Sequence, residues 1–338
     1  MLKLVFFLLA LIGLPLCSGL SELSAQTRRQ SSPVVPAKKP QLVASTDKFS
    51  FSKCAADKGY IYWLGYHQLV RVNRDDGKYP QTLVETNTEV GEFVVDGNDF
   101  YYMSENKAER KGGDFSSKTM GELKKVDLTN GNISTVLGDF IWPGLAYIGT
   151  DSTYIYFLEG SLTTKEAILL MRLAKSGGEP ERVTSGLKAP NGFVVDEKNI
   201  YWSDFADDSV RKIAKTGGKQ TVLFDGNENQ VEPATIASDD RYLYLLGQTG
   251  TIYQLEKESG KSKLLYTYRG NDFDSGAPIF ADKEAIIWPL GKRLMLLSKQ
   301  GGAPTVVSSL GSASRCVVAD DKYIYWSEQN RGLMKIPK

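Results

Sequence analysis

The sequence predicts an all-β protein, a seven-bladed β-propeller of four-stranded antiparallel blades, and three observations predict it. First, an apolar-aromatic triplet recurs: Ile61-Tyr62-Trp63, Phe100-Tyr101-Tyr102, Ile155-Tyr156-Phe157, Ile200-Tyr201-Trp202, Leu243-Tyr244-Leu245, Ile286-Ile287-Trp288 and Ile324-Tyr325-Trp326. The triplets start 39, 55, 45, 43, 43 and 38 residues apart, which brackets the ~40–45-residue period of propeller blades. Second, the same turn chemistry surrounds each copy. Third, the two ends of the chain complete one another.

The stretch 194–223 is the clearest copy. An apolar strand A, Phe193-Val194-Val195, leads into an Asp-containing turn. Strand B carries the aromatic triplet, strand C alternates as in Val210-Arg211-Lys212-Ile213, and Gly217-Gly218 turns the chain into strand D, Thr221-Val222-Leu223. The turn aspartates are Asp57, Asp96, Asp151, Asp196, Asp239, Asp282 and Asp320. Their side chains accept backbone N–H bonds in tight turns, and the glycine pairs supply positive φ. Both sets are therefore expected to be structural. One blade cannot bury both its faces, but radial packing buries both and leaves only short edges.

The seventh repeat stops at Lys338 after strand C. Pro40-Gln41-Leu42-Val43-Ala44-Ser45 matches Pro304-Thr305-Val306-Val307-Ser308-Ser309, which is strand D followed by the next blade. The N-terminal segment is thus expected to supply the missing fourth strand of the last blade. Cys54 lies three residues before Asp57, and Cys316 lies four before Asp320. Side chains alternate faces along a strand, so an offset of one lets each cysteine point across the seam between the last blade and the first. In an oxidising compartment a Cys54–Cys316 disulfide is expected, two buried thiols being the alternative.

Ahead of the ring, residues 1–25 read as a signal peptide: Lys3, an apolar run over 4–16, then Ser18, Gly19, Ser21 and Ala25. Cleavage after Gly19 or after Ala25 fits those small residues. Leu16 stands where a lipobox needs a small residue, so lipid anchoring at Cys17 is not expected. Residues 26–40 are polar and proline-rich and read as a flexible leader, which leaves 41–338 for the propeller. No later stretch reads as a transmembrane anchor. A secreted or periplasmic monomer is expected. With Lys+Arg 41 against Asp+Glu 40, the global field is too weak for a nucleic-acid partner.

A–B and C–D turns share one face of the ring and are short and repetitive. B–C and D–A connections share the other, and varied loops on a rigid scaffold are where binding residues gather. The longest is the insertion 104–120 in blade two. The D–A connections ring the channel mouth and hold Glu89, Glu92, Trp142, Asn191, Asp225, Glu228, Glu232, Arg269, Asp272, Asp274 and Arg315. From these, Glu92, Trp142, Asn191, Glu232, Asp272 and Arg315 are the expected contacts for a protein or carbohydrate partner. Acidic residues outnumber basic ones there, and oxygen-rich clusters suit calcium. No contiguous calcium-loop motif is present, so no cofactor is expected, calcium being the ion those oxygens would suit. The only histidine, His67, excludes a multi-histidine metal site. No nucleophile-elbow signature accompanies it, and no catalytic residue is expected.

Ile200-Tyr201-Trp202-Ser203-Asp204, followed by Val210-Arg211-Lys212-Ile213, resembles the YWTD repeat of LDL-receptor class B propellers and the secreted bacterial propellers with IYW repeats. The likeness covers roughly 41–338 and implies the fold. YWTD propellers have six blades, and only blade four here keeps the Asp after the aromatic motif, so the endocytic-receptor role is not implied. Ala189-Pro190-Asn191-Gly192 resembles the Pro-Asn-Gly entry of gluconolactonase-like, regucalcin-like propellers. That resemblance implies the alternative of a metal-dependent hydrolase or lactonase, with Asn191 and Glu92 or Glu232 as ligands. Beyond the common grammar, blade four adds Asn191 and the acidic B–C loop 204–208.

Overall fold

Alternating apolar strands separated by Asp and Gly turns fold into seven four-stranded antiparallel sheets. The computed structural model describes residues 39–45, 53–64, 68–74, 80–85, 90–105, 120–141, 147–160, 168–270, 273–274, 276–328 and 331–338. Blades one to six occupy 53–85, 90–141, 148–187, 190–225, 233–266 and 280–309. Blade seven takes strands A to C from Val317–Ala319, Tyr323–Glu328 and Gly332–Pro337, and its outer strand is Gln41–Ser45 from the other end of the chain. The expected seven-bladed propeller and its N-terminal closure are both realised. The segments read as signal peptide and leader lie outside the described residues, except for its last two, Lys39 and Pro40.

Strand B explains the ring. In blade four, Ile200 and Trp202 pack toward blade three, while Tyr201 between them packs toward blade five. The same split places Ile61 and Trp63 against blade seven and Tyr62 against blade two. A period of two thus makes each triplet serve two seams at once. Seven apolar clusters result, each shared by two consecutive blades. Trp63, Trp202, Trp288 and Trp326 are fully buried, and each such side chain contributes on the order of 2–3 kcal/mol.

The turn aspartates act as expected. Asp196 Oδ1 accepts from the N–H groups of Lys198 and Asn199 at 2.9 and 2.8 Å, and Asp57, Asp151, Asp239, Asp282 and Asp320 repeat the arrangement. Blade two differs: strands ending at Asp96 and starting at Asp99 meet through Gly97-Asn98, with Gly97 at φ +60°. A two-residue hairpin of this kind needs that positive φ.

The Cys54–Cys316 disulfide is formed, with the Cα atoms 5.2 Å apart and the two cysteines separated by 262 positions in the sequence. It joins the innermost strands of blades one and seven. The seam that closes the ring therefore carries both a covalent link and the shared blade.

Candidate functional site

The A–B/C–D face is closed by a repeated clasp. The residue that follows strand C donates its backbone N–H to the A–B turn of its own blade, as in Lys215 to Lys198 O, Lys257 to Arg241 O and Lys299 to Glu284 O. Its side chain reaches the turn aspartate of the preceding blade. The pairs are Arg74–Asp320, Lys175–Asp96, Lys215–Asp151, Lys257–Asp196, Lys299–Asp239 and Lys338–Asp282. Five of them measure 2.5 to 3.2 Å. The strand-B tyrosine of the same blade also donates to that aspartate, as in Tyr244 to Asp239 at 2.7 Å and Tyr325 to Asp320 at 2.9 Å. Lys257 and Lys299 lie 5.3 and 5.0 Å from the ring centroids of Tyr201 and Tyr244, within cation–π range.

At the seam between blades one and two the equivalent position is Leu128, whose N–H donates to Asn98 O. There Arg71 Nη1 donates to Leu128 O at 3.4 Å instead. Among the described residues, six seams are clasped by an ion pair and one is not.

Partial burial pushes the carboxyls of Asp151, Asp196, Asp239, Asp282 and Asp320 up, but hydrogen bonds from backbone N–H groups and from lysine or tyrosine outweigh it and hold them below the usual range. Burial, reinforced by those carboxylates, raises Tyr156, Tyr201, Tyr244 and Tyr325. A recess of about 660 Å³ lies on this face between blades four and five. Clasp groups such as Asp196, Asp239 and Lys257 form much of its wall, and they are already engaged, Asp196 by Lys257 and Asp239 by Lys299.

The opposite face is built differently. A–B turns span two or three residues, whereas the D–A connections run from 2 residues at 188–189 to 13 at 267–279. A cavity of about 590 Å³ at the channel is lined by Lys53, Glu92, Tyr147, Asn191, Arg315 and apolar residues of the inner strands. Strand pairing sets their levels. Cys54, Phe93, Ile148, Phe193, Ile236 and Val317 face the third residue of their triplets. One step outward stand Lys53, Glu92, Tyr147, Gly192, Thr235 and Cys316. Asn191, Ala234 and Arg315 stand one step further.

The charged half spans blades six, seven, one and two. Lys53 pairs with Glu92 across the first seam, and Arg315 Nη2 meets Asp274 Oδ2 at 3.1 Å. Lys53 keeps 36% of its side-chain surface open, yet the surrounding ring desolvates its ammonium and draws its pKa down to about 8. The neutral half holds Tyr147, whose hydroxyl donates to Asn191 Oδ1 at 2.8 Å. Burial raises the Tyr147 hydroxyl to about 12. Gly192 sits at φ +112°, and a Cβ there would lie 3.0 Å from Ser203 Oγ and 3.3 Å from Thr235 Cα. Only glycine fits, and its turn presents Asn191 to the channel.

Of the expected contact residues, Glu92, Asn191 and Arg315 come together in this cavity. Glu232 is exposed outside its lining, and its carbonyl accepts from Gln248 N–H. Trp142, Asp272, Glu89, His67 and the insertion 106–119 lie outside the described residues. Asp225 caps the short helix Gly226–Asn229, accepting from Asn227 and Glu228 N–H. Asp204 is buried and accepts from Lys188 and Ala189 N–H, both at 3.0 Å, so the Asp two residues after Trp202 fixes the D–A backbone that enters its own blade. Asp207 is held by Arg211 and Ser209. Among the described residues no three His, Cys, Asp or Glu side chains gather as metal ligands.

Sequence reasoning missed Lys53, Tyr147 and the clasp lysines. Lys175, Lys215 and Lys299 each stand two residues before a Gly-Gly pair, a fixed offset that was the available signal.

No protein-family model matches the chain, and no curated protein matches it. Solved structures do. A catalytically inactive His-to-Ala variant of virginiamycin B lyase from Staphylococcus aureus with quinupristin aligns at a TM-score of 0.68 and 13% identity, over 89% of this chain and 99% of that one. A computationally designed protein aligns at 0.60 and 10% identity, over 88% and 98%. A chain of a nidogen/laminin complex aligns at 0.51 and 13% identity, over 71% and 89%. At these identities the likeness shows the fold alone: the chain is a seven-bladed β-propeller. Among the described residues no helix is long and apolar enough to cross a membrane.

Proposed function

We propose that the chain is a secreted or periplasmic binding module without catalytic activity. It recognises a protein partner through the B–C/D–A face. The observation that carries this reading is the asymmetry of the ring. One face is tied shut by six inter-blade ion pairs. The other combines long connections with a cavity of about 590 Å³ on a scaffold rigid enough to pre-organise it. The nidogen/laminin neighbour supports the reading as a propeller in a protein complex.

The test is capture from the native extracellular or periplasmic fraction. Joint substitution of Glu92, Asn191, Glu232 and Arg315 by alanine should abolish capture while the melting temperature stays within a few degrees. Unchanged capture refutes this face. A captured glycan in place of a protein revises the partner class.

A second reading is a metal-dependent hydrolase or lactonase. It is favoured by Glu92 and Asn191 both lining the channel and by the lyase among the neighbours. It predicts stoichiometric calcium or zinc in the purified protein. A metal-free preparation whose melting temperature ignores added divalent ions eliminates it.

A further inference from the structure

The channel mouth has two of its carboxylates engaged, Glu92 by Lys53 and Asp274 by Arg315 and by the N–H of Gly276 at 3.0 Å. Its donors are not exhausted. The Arg315 guanidinium spends one nitrogen on Asp274 and is nearly half exposed, at 47%. Asn191 accepts the Tyr147 hydroxyl at its Oδ1, which orients the amide and leaves the Nδ2 donors without a partner among the described residues.

The disulfide brings two of these groups side by side. Lys53 and Arg315 are the residues immediately before Cys54 and Cys316. Innermost strands of consecutive blades run parallel along the channel, so both cations project at the same end, within one step of each other. Cross-linking Cα atoms 5.2 Å apart thus staples two positive charges on adjoining strands. Their acidic partners stand on the outer flanks, Glu92 in blade two and Asp274 at the entry to blade six. Ala234 and Thr235 of blade five and Ala277 and Pro278 at the entry to blade six add small, uncharged surface to the cavity.

We propose that the mouth binds a carboxylate carried by a peptide chain, held between Lys53 and Arg315 with Asn191 as a further donor. This rests on the partner-binding reading of the same face. A planar guanidinium fork matches a carboxylate, and with each cation already facing one acid a monoanion is repelled less than a dianion.

The experiment uses the full-length chain with the disulfide intact and three probes: acetyl-Ala-Ala-Ala with a free C-terminus, acetyl-Ala-Glu-Ala-amide and acetyl-Ala-Gln-Ala-amide. Binding is read from the side-chain NMR signals of Lys53 and Arg315. Saturable shifts in both residues are expected with one or both acidic probes and not with the glutamine peptide. Which acidic probe binds separates a chain terminus from an acidic side chain. Arg315→Leu and Lys53→Met should each weaken binding at least fivefold. Glu92→Gln removes a competing anion and should tighten binding severalfold, a change of sign that loss of structure cannot mimic. If Lys53→Met does not fold, Arg315→Leu and Glu92→Gln suffice.

Equal response to all three probes, or no saturable shift, overturns the proposal. The two readings fail separately. Partner capture that survives Arg315→Leu and Lys53→Met but not the joint face substitution sinks the carboxylate alone. Carboxylate binding alongside capture indifferent to the joint substitution sinks the partner face.

Discussion

The two faces of this ring are made from the same repeats and use charge in opposite ways. On the A–B/C–D face, each of six cations is matched to an aspartate of the preceding blade, and most of those aspartates also accept a strand-B tyrosine. Lys257 and Lys299 are buried there, at 5% and 8% exposure. On the B–C/D–A face the charges sit at the rim of a cavity, Lys53 and Arg315 keeping 36% and 47% of their side-chain surface open. The comparison teaches that a repeat protein can separate rigidity from recognition. Periodic positions build the ring, and departures from the period carry what is particular to it.

The largest expected effect breaks the ring itself. Replacing Cys54 and Cys316 by serine should cost about 2–4 kcal/mol of unfolding free energy. It should also loosen the mouth, since both cysteines line it. Urea denaturation with and without reductant measures the first, and probe binding measures the second.

A smaller effect breaks one clasp. Lys299→Met keeps the stem but removes the charge from Asp239, and should cost about 1–2 kcal/mol. The more exposed Lys338→Met should cost less, and neither should alter partner capture.

Acid should act on the same face. Asp151, Asp196, Asp239, Asp282 and Asp320 have folded pKa values below their unfolded ones. Their stabilisation is therefore present above the unfolded carboxylate value of ~4 and is lost as pH falls below it. Melting temperature should be flat between about pH 5 and 7 and should drop below about pH 4. The raised tyrosines act at the other end. Their contribution is complete below the unfolded value of ~10 and is lost as pH climbs past it.

The smallest effect sharpens the comparison. Leu128→Lys installs a cation at the seam without a clasp, opposite Asp57. It should gain at most ~0.5 kcal/mol, read as a small rise in melting temperature.

Much of the fold was legible because its determinants are local. A triplet of period two, an aspartate that bonds N–H groups two and three residues on, and a glycine pair all act within one blade. The N-terminal closure was legible because 40–45 repeats the composition of 304–309. The clasp was not, because its partners lie in different blades. Lys215 reaches an aspartate 64 residues upstream, and Lys338 one 56 residues upstream. Each lysine alone looks like ordinary surface charge.

The mouth was legible in part. Glu92, Asn191 and Arg315 follow from their place at the entry to strand A. Lys53 stands level with Glu92 at the start of its strand, Lys53–Ala56, but a lone lysine there looks like ordinary surface charge. Without it the mouth reads as acidic, whereas Glu92 and Asp274 are paired with cations. Asp204 misled in the other direction. Its motif is conspicuous, yet its carboxylate is buried against its own backbone.

Hydrogen exchange on the ring with its captured partner bound tests the central claim most directly. The account predicts slowed exchange at the inner-strand entries near 190–192, 234–236 and 315–317. It predicts no change at the clasp turns 196–199 and 239–242. Protection of those turns with an unaffected mouth would contradict it.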